Sequence, residues 1–345
     1  MQSTIKSKVT IKDVARACGV STQTISRVLN DRVDVSSVTR EKVLAVIGQM
    51  GYQPSALARS MRQRNNTMGV IIAGLRYIGI STTLNGITQA AEAFGINIML
   101  KELPTFDSLE MQPLIQSLVA HQVQGIIYAA PEVGENWKII QKSLTDQTPP
   151  IVFLKGNPTS ADITISIDNY SGAYQITQHL IKQGYRQIAH IAGPCEWWEA
   201  RERKRGWIQA LLDNGLPVLE EAQIRGNWSS SSGLECFNKL LTQYPQMDAV
   251  FAANDQMALA VLNGAWQKGI SVPNQLGVVG YDNIQEAAYL SPPLTTMRQN
   301  FHELGALAVR KLVSIGDPDQ VDPEVSSNTL LLTPELIVRK STMRE

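Results

Sequence analysis

The sequence predicts a small all-α module at the N-terminus, followed by a larger α/β domain with parallel sheets. Three observations lead to this fold class. Apolar residues recur at helical spacing in the first part of the chain, short apolar runs alternate with amphipathic segments from about residue 67 onward, and the net charge changes sign between the two parts. A chain of 345 residues is long enough to form two or three separate cores.

The charge is divided unevenly along the chain. Residues 1–66 contain 11 Lys and Arg residues against four acidic residues, which gives this segment a net charge of +7. The whole chain is neutral, so the remainder carries −7. A basic segment attracts a polyanion, whereas an acidic body is repelled by one. This division suggests a nucleic-acid-binding head on a body that does not bind nucleic acid; the alternative is a chance gradient of charge.

The first predicted helix begins near Ile11. Thr10 and Asp13 form an N-terminal capping pair, and Gly19 stands where a left-handed residue would end the helix. Ser21 is placed to cap a second helix almost at once. A third helix, over residues 37–50, is expected to bury four apolar side chains and complete a helix-turn-helix core, namely Val43, Leu44, Ile47 and Met50.

The second helix separates its apolar and polar residues onto two faces. Its polar face carries hydrogen-bonding groups and not solubilising Lys and Glu, namely Thr22, Gln23, Ser26, Arg27 and Asn30. In a helix-turn-helix the second helix enters the major groove of DNA. We therefore expect Thr22 and Gln23 to read base edges, since Gln can bridge N6 and N7 of adenine, while the other polar residues and Ser21 hold phosphates.

Several segments of the head and the body form a long and specific pattern. In the head these are VTIKDVARACGVSTQTISRVLN at 9–30, TREKV at 39–43 and GYQP at 51–54. In the body they are QHLIKQGYRQIAHIAGP at 178–194, ANDQMA at 253–258, VVGYD at 278–282 and PPLTT at 292–296. Together these segments closely resemble the LacI/GalR-type transcriptional repressor family, with the strongest similarity to its lactose-repressor branch. The resemblance covers nearly the whole chain.

The resemblance implies a homodimer that binds a palindromic, double-stranded DNA operator. Residues 55–62 alone would favour a plain linker, because eight residues are too few for a stable isolated helix. In the family this segment folds on DNA and inserts a side chain, usually Leu, into the central minor groove; the matching residue here is Met61, beside Ala58. The full set of expected DNA-binding residues is Thr10, Ser21, Thr22, Gln23, Ser26, Arg27, Asn30, Ser36, Ala58 and Met61.

The family fold is a headpiece joined to a two-lobed domain similar to periplasmic sugar-binding proteins. We expect a helix-turn-helix domain at 1–54, a hinge helix and linker at 55–66, and an effector-binding and dimerisation domain at 67–345. The first lobe would comprise about 67–166 and 298–327, and the second about 167–297 and 328–341. No leucine-repeat tail follows residue 340, so we expect a dimer and not a tetramer.

Six apolar runs in the body are predicted to be strands of parallel sheets, at 68–73, 125–130, 151–154, 187–192, 249–253 and 276–280. In open α/β sheets, ligands bind beyond the carboxyl ends of the strands. Ala73, Lys155, Asn254, Asp282 and the loop after Gly193 should therefore surround one cleft. This location, and the matching positions of the family, predict a small-molecule carbohydrate site.

The predicted effector-binding residues combine polar clamps for hydroxyl groups with aromatic rings for the apolar face of a sugar. The family resemblance implies Arg203, Asn254 and Asp282 as clamps, Trp228 as the stacking ring, and Gln299 and Phe301 as further lining. The full expected set is Ala73, Tyr77, Phe153, Lys155, Glu199, Arg203, Trp228, Asn254, Asp282, Gln299 and Phe301. Lys155 stands where the lactose-type repressor has an acidic residue, and Glu199 where it has a small hydroxyl residue. Lys155 either contacts an acidic sugar or pairs with Glu199, and the internal pair is favoured. Trp197 and Trp198 either add a sugar platform or pack internally.

Other classes of function are disfavoured. The sequence contains no Gly-x-Gly-x-x-Gly, His-Glu-x-x-His or Gly-x-Ser-x-Gly motif, and its four His residues have no ligand spacing, so we expect no enzyme, no cofactor and no metal. The three widely spaced Cys residues are expected to be buried and unpaired. Without a leader or a long apolar run, a cytoplasmic protein with no membrane segment is expected. The alternatives are a corepressor-type regulator or, further off, a cytosolic sugar-binding protein or enzyme.

Overall fold

The protein is described by a computed structural model. The described residues are 9–29, 35–52, 66–106, 108, 111–133, 136–157, 163–317, 320 and 322–344. The chain separates into two compact units, Met1–Asn66 and Thr67–Glu345.

The first unit contains three helices: α1 (Ile11–Cys18), α2 (Thr22–Leu29) and α3 (Ser37–Met50). The expected capping pair is present, because the Asp13 N–H donates to the Thr10 hydroxyl while the Asp13 carboxylate accepts from the Thr10 N–H. Gly19 ends α1 in the left-handed conformation, with φ of 67°. The predicted helices and their caps are thus confirmed.

The core of this unit is formed by Val14, Ala15, Cys18, Ile25, Val28 and Val43. The expectation that Leu44 completes this core is wrong, because half of its surface is exposed. Val46 packs there in its place, beside the predicted Ile47 and Met50, which are partly buried. On a helix, residues three and four positions after Val43 share its face, whereas the next residue is turned about 100° away.

The second unit consists of two lobes, each built on a six-stranded sheet. The strands of the first sheet, in spatial order, are β11 (Thr329–Leu332), β5 (Ile163–Ile167), β4 (Ile151–Leu154), β3 (Ile126–Tyr128), β1 (Thr67–Ala73) and β2 (Asn97–Leu103), and all neighbouring pairs are parallel. Its helices are α4 (Ile78–Ala93), α5 (Met111–Ala120), α6 (Asn136–Ser143) and α11 (Phe301–Gly316).

The second sheet has the order β12 (Glu335–Ile337), β10 (Thr295–Arg298), β9 (Gly277–Asp282), β8 (Ala249–Ala252), β6 (Ile188–Ala192) and β7 (Gln223–Arg225). Only the β10–β12 pair is antiparallel among these described strands. Its helices are α7 (Asn169–Lys182), α8 (Trp198–Asp213), α9 (Ser230–Gln243) and α10 (Asp255–Gln267). All six predicted strands are present, within a few residues of their predicted ends.

The chain passes between the lobes three times: after β5, after β10 and after β11. The third crossing was expected near residue 328, with 328–341 assigned to the second lobe. That boundary is wrong, because Thr329–Leu332 pairs in parallel with β5 of the first sheet. The crossing lies at Thr333 and Pro334, and the proline has no N–H to donate to a sheet.

Close contact between α4 and α11 depends on two glycines in the first lobe. A Cβ on Gly86 would lie 2.8 Å from the His302 carbonyl carbon and closer still to its oxygen. A Cβ on Gly305 would lie 2.8 Å from the Ile87 nitrogen. The two helices therefore touch backbone to backbone, which fixes the position of Phe301 at the start of α11.

Cys18 and Cys236 are buried as expected, but Cys195 is exposed, because it lies in the loop between β6 and α8. None of the helices in the described ranges has the length and apolarity needed to cross a membrane.

Candidate functional site

In the head, the polar face of α2 is turned away from the core. Thr22, Gln23 and Arg27 are exposed and Ser26 is half-buried, while Ile25 and Val28 on the opposite face are buried. The side chains proposed to read bases are therefore presented on one surface of a short helix.

Three of the expected DNA contacts stand at helix starts. The Ser21 hydroxyl accepts from the Thr24 N–H at 3.0 Å, and the Ser36 hydroxyl accepts from the Thr39 N–H at 3.3 Å. Thr10 caps α1. The N-terminus of a helix carries positive potential and unpaired N–H groups, which suits a phosphate oxygen. Asn30, Ala58, Met61 and the expected hinge helix lie outside the described residues.

In the body, a cleft of about 570 Å³ lies between the two lobes. Side chains from the first lobe, including Tyr77, Lys155 and Phe301, face side chains from the second lobe. The second-lobe residues are Trp197, Glu199, Arg203, Trp228, Asn254, Gln256 and Asp282, with Gln299 at the crossing after β10.

Arg203 is held rigidly although it is almost fully buried. Its Nε donates to Asn169 Oδ1 at 2.8 Å, one terminal nitrogen donates to the Ala253 carbonyl at 2.5 Å, and the guanidinium lies 3.9 Å from the centre of the Tyr281 ring. The same nitrogen is 3.9 Å from Asp282 Oδ1. The cation is thus fixed in place before any ligand arrives, which reduces the entropic cost of binding.

Asp282 lies at the carboxyl end of β9, and Gln299 Nε2 donates to its Oδ1 at 2.5 Å. Burial raises the pKa of Asp282 to about 6, although Arg203 opposes this shift. Just behind it, Asp255 accepts from the Thr296 hydroxyl at 2.6 Å and from the Ile284 N–H at 2.8 Å. Burial and the nearby Asp282 carboxylate raise the pKa of Asp255 to about 8.

Lys155 and Glu199 are both buried but do not form a direct pair. Within the described part of the chain, no carboxylate oxygen lies within 4.0 Å of Lys155 Nζ, which sits 4.7 Å from the centre of the Phe301 ring. The favoured interpretation of Lys155 as the ion-pair partner of Glu199 is therefore not supported by a contact. Burial lowers the pKa of Lys155 and raises that of Glu199, while each group's charge opposes the shift of the other.

Three cleft residues have an unusual backbone conformation. Lys155, Trp228 and Asp282 have φ values of 63°, 72° and 118°, in the region that side chains other than glycine rarely occupy. Such strain persists only where the surrounding structure imposes it, and it concentrates at functional sites. Each of the three directs its side chain to the same cleft.

Trp228 forms one wall of the cleft. Its carbonyl accepts from Asn254 Nδ2 at 2.9 Å, and its ring meets the Trp197 ring edge-on with centres 5.7 Å apart. Trp228 Nε1 and Gln299 Oε1 are buried and have no hydrogen-bond partner among the described residues. A donor and an acceptor left in this state at a cleft wall point to a polar ligand, because an unpaired buried polar group is costly.

A second cavity of about 1270 Å³ adjoins the cleft and shares Tyr77 and Trp197 with it. The described residues contain no group of three or more side chains placed to hold a metal ion.

Two family models match the chain: bacterial regulatory proteins of the lacI family over residues 10–55, and the periplasmic binding protein-like domain over 177–342. The chain is 33% identical over 319 residues to catabolite control protein A of Priestia megaterium, covering 92% of this chain and 95% of that protein. It belongs to the lacI family of bacterial regulatory proteins. This LacI-family chain is thus a DNA-binding transcriptional regulator with a helix-turn-helix head.

Two further matches extend over nearly the whole regulator. It is 32% identical over 334 residues to the ribose operon repressor of Escherichia coli K12, covering 96% of this chain and 99% of that protein. The lac repressor dimer bound to operator and the anti-inducer ONPF superposes with a TM-score of 0.86 at 30% identity, covering 97% of this chain and 99% of that one. The predicted family and fold class are confirmed, and the proteins it resembles are transcriptional regulators and not enzymes.

Of the effector residues predicted for the LacI-family chain, nine line the cleft. They are Tyr77, Lys155, Glu199, Arg203, Trp228, Asn254, Asp282, Gln299 and Phe301. Ala73 and Phe153 do not: both lie in the core cluster packed against α5 and α6. Side chains alternate between the two faces of a strand, and at these two positions they point to the helix layer and not to the strand ends.

The prediction also missed several cleft residues of the regulator. Ile78, Gly79 and Ile80 line the cleft at the start of α4, and Gln256 lines it at the start of α10. The rule that ligands lie beyond strand ends could have identified the first three, because they follow β1 by a few residues. Trp197, for which two roles were left open, faces the cleft, while Trp198 is buried.

Proposed function

We propose that this regulator binds a palindromic operator as a homodimer and represses carbohydrate-utilisation genes until a small, electrically neutral sugar occupies the cleft. The similarity to the operator-bound lac repressor dimer and to the ribose operon repressor supports both parts. A protein that acts on an operator in this way works in the cytoplasm and needs no cofactor, and we propose that it releases its effector chemically unchanged.

For the DNA side, we assign Thr22 and Gln23 to base edges, because they are exposed at the N-terminal end of α2. Thr10, Ser21, Ser26, Arg27, Asn30 and Ser36 are assigned to phosphates and register, with Ala58 and Met61 in a hinge that contacts the minor groove. The net charge of +7 on residues 1–66 supports the assigned phosphate contacts.

For the effector side, the observation that carries the proposal is the balance of charge in the cleft. Lys155 and Arg203 supply two positive groups, and Glu199 and Asp282 supply two negative groups, all at least four-fifths buried. The four charges cancel, so a charged ligand would bring an uncompensated charge into a buried site. Carboxylates accept from hydroxyl groups and the cations donate to them, which suits a neutral polyol.

The aromatic walls complete the assignment. Trp228 and Phe301 provide apolar faces for a sugar ring, while the unpaired Nε1 of Trp228 and Oε1 of Gln299 supply one donor and one acceptor. Lys155, placed against Phe301 and free of a direct ion pair among the described residues, is assigned to a sugar hydroxyl and not to Glu199.

The DNA assignment is tested by selecting binding sites from a random duplex library and measuring affinity by fluorescence anisotropy. The selected site is expected to be a palindrome. Gln23→Ala should weaken its binding by about 10-fold, since a bidentate base contact contributes about 1–3 kcal/mol, with no effect on unrelated DNA. Gln49→Ala, an exposed Gln on α3, is the matched control. Equal loss for all DNA sequences would contradict base reading by Gln23.

The effector assignment is tested by adding neutral sugars to the protein–operator complex. A sugar that binds the cleft is expected to lower operator affinity, and Arg203→Met should abolish this response. An increase in operator affinity would identify the ligand as a corepressor. Operator affinity that no sugar changes, in a protein that binds none of them, would refute the carbohydrate assignment.

A further inference from the structure

The adjoining cavity is built in a way that suits a ligand. Its inner wall consists of three aromatic rings, Tyr77, Phe106 and Trp197. The Tyr77 and Phe106 rings have centres 5.4 Å apart at 56°, and the Phe106 and Trp197 rings have centres 4.7 Å apart at 64°. The same row continues to Trp228 in the cleft, so one aromatic surface runs from the inner site to the outer cavity.

A glycine allows this row to form. Gly74 has φ of 69°, and a Cβ there would lie 2.9 Å from Phe106 Cε1 and 3.0 Å from Tyr77 Cδ2. Any larger residue at position 74 would push the two rings apart and strain the backbone. The ring positions are therefore a specific feature of the fold. Tyr77 and Phe106 pack against the core clusters on one side and remain partly exposed on the other.

The outer rim of the cavity is polar. Arg76 and Glu102 are exposed there, and the Glu196 carboxylate lies beside them, bound by Arg225 at 2.6 Å. Arg76 also donates to the Tyr77 hydroxyl at 3.2 Å. Apolar rings on the inner wall and hydrogen-bonding groups at the rim match a pyranose, which has apolar faces and a hydroxylated edge. The three rings of this wall are tilted and leave no parallel slot for a flat base.

We propose that the outer cavity is a second saccharide subsite, so that the effector is a disaccharide, with one ring in the cleft and the other on the Phe106 and Trp197 wall. The assignment rests on the proposed carbohydrate function and narrows its ligand class. Tyr77 and Trp197, which belong to both spaces, would lie beside the glycosidic linkage.

The test is isothermal titration calorimetry of the full chain with matched sugars. The probes are D-glucose with cellobiose, maltose and gentiobiose, and D-galactose with lactose and melibiose. At least one disaccharide is expected to bind 10-fold or more tightly than its component monosaccharide, by analogy with other added apolar contacts.

Two variants then test whether the tighter binding of the disaccharide comes from contacts in the outer cavity. Phe106→Leu keeps an apolar side chain but removes the ring, and Arg76→Ala changes only the exposed rim. Each is expected to weaken disaccharide binding by about 5-fold and to leave monosaccharide binding unchanged. Phe94→Leu, which makes the same exchange at the partly exposed end of α4, should change neither affinity. Arg76→Ala also covers the case in which Phe106→Leu fails to fold.

The possible results are distinguishable. Monosaccharides that bind as tightly as every disaccharide would overturn the second subsite and leave the carbohydrate function standing. If neither variant reduces the preference for a disaccharide, the second subsite does not lie in the outer cavity. If no sugar binds at all, the proposed carbohydrate function itself fails, and the subsite fails with it.

Discussion

The position of the Trp228 ring in the cleft depends on Gly193, the residue that follows β6. A Cβ at position 193 would lie 2.7 Å from Trp228 Cζ3, and closer still to Cζ2 and Cη2 of the same ring. Gly193 has no positive φ, so an alanine there carries no backbone penalty, and the atoms nearest to its Cβ all belong to the Trp228 ring. Gly193→Ala is therefore a way to move one cleft wall without touching a ligand-contacting residue.

The size of the effect follows from the geometry. Carbon atoms rest about 3.5–4.0 Å apart, so the outer part of the indole must retreat by about 1 Å or more. The Trp228 backbone cannot follow easily, because Asn254 holds its carbonyl. Inserting a methylene into a packed site costs about 1–3 kcal/mol, and we expect a loss of about 2 kcal/mol in the free energy of unfolding. Displacing the ring should weaken effector binding by about 10-fold.

The assay combines urea denaturation with calorimetric titration of the sugar found in the screen above. Gly316→Ala is the matched control, because a Cβ at that position in α11 meets nothing within 4 Å. A double-mutant cycle with Trp228→Phe isolates the contact. The shorter phenyl ring should make room for the methyl group, so Gly193→Ala should cost at least about 1 kcal/mol less in that background.

Additive effects of Gly193→Ala and Trp228→Phe would refute the reasoning, because they would show that the methyl group does not meet the indole. Unchanged stability in Gly193→Ala would do the same. A loss of stability equal to that of Gly316→Ala would assign the effect to glycine replacement in general.

Three further predictions concern separate parts of the molecule. Burial raises the pKa of Asp282 from 3.8 to about 6, so its stabilising contribution is complete below pH 3.8 and is lost as the pH rises through 6. Relative to Asp282→Asn, the wild type should lose about 2 kcal/mol of unfolding free energy between pH 4 and pH 7 in urea titrations, and a constant difference would show an unshifted group. Thr10→Ala removes the cap of α1 and should lower the unfolding free energy of the head by about 1 kcal/mol. Thr88→Ala is the control, because Thr88 lies inside α4 and caps no helix, and it should cause no such loss in thermal unfolding monitored by circular dichroism. Operator affinity should fall by about 10³ to 10⁵ between 50 and 200 mM salt, and a nearly flat salt dependence would contradict the phosphate contacts.

The head could be predicted in detail from sequence because its determinants are local. A capping pair, a terminal glycine and an apolar stripe lie within a few residues of one another, and each acts on the helix that contains it. Leu44 was misplaced because the orientation of α3 about its own axis depends on contacts with α1 and α2 that the sequence pattern does not rank. Val46 and Leu44 have similar hydrophobicity, and only packing separates them.

The cleft was predicted less completely because its geometry is set by distant residues. The carboxyl ends of strands located it, but Ala73 and Phe153 were assigned without knowing which strand face they occupy. Pairing between β11 and β5 joins residues far apart in sequence, so the third crossing could not be read locally. The left-handed backbone of Lys155 turns its Nζ toward Phe301, which no sequence rule for lysine indicates.

The first strand connects the two proposed functions physically. It begins at Thr67, directly after the boundary between the two units, and its carboxyl end leads within four residues to Tyr77 in the cleft. Its seven residues span about 20 Å and are hydrogen-bonded to β2 and β3 on both sides. A buried central strand does not stretch, so this strand responds to an effector in the cleft by moving with the first lobe as a body. Because the cleft residues of the two lobes face each other, a ligand that contacts both favours one lobe arrangement, and only its difference in affinity between arrangements can alter operator binding.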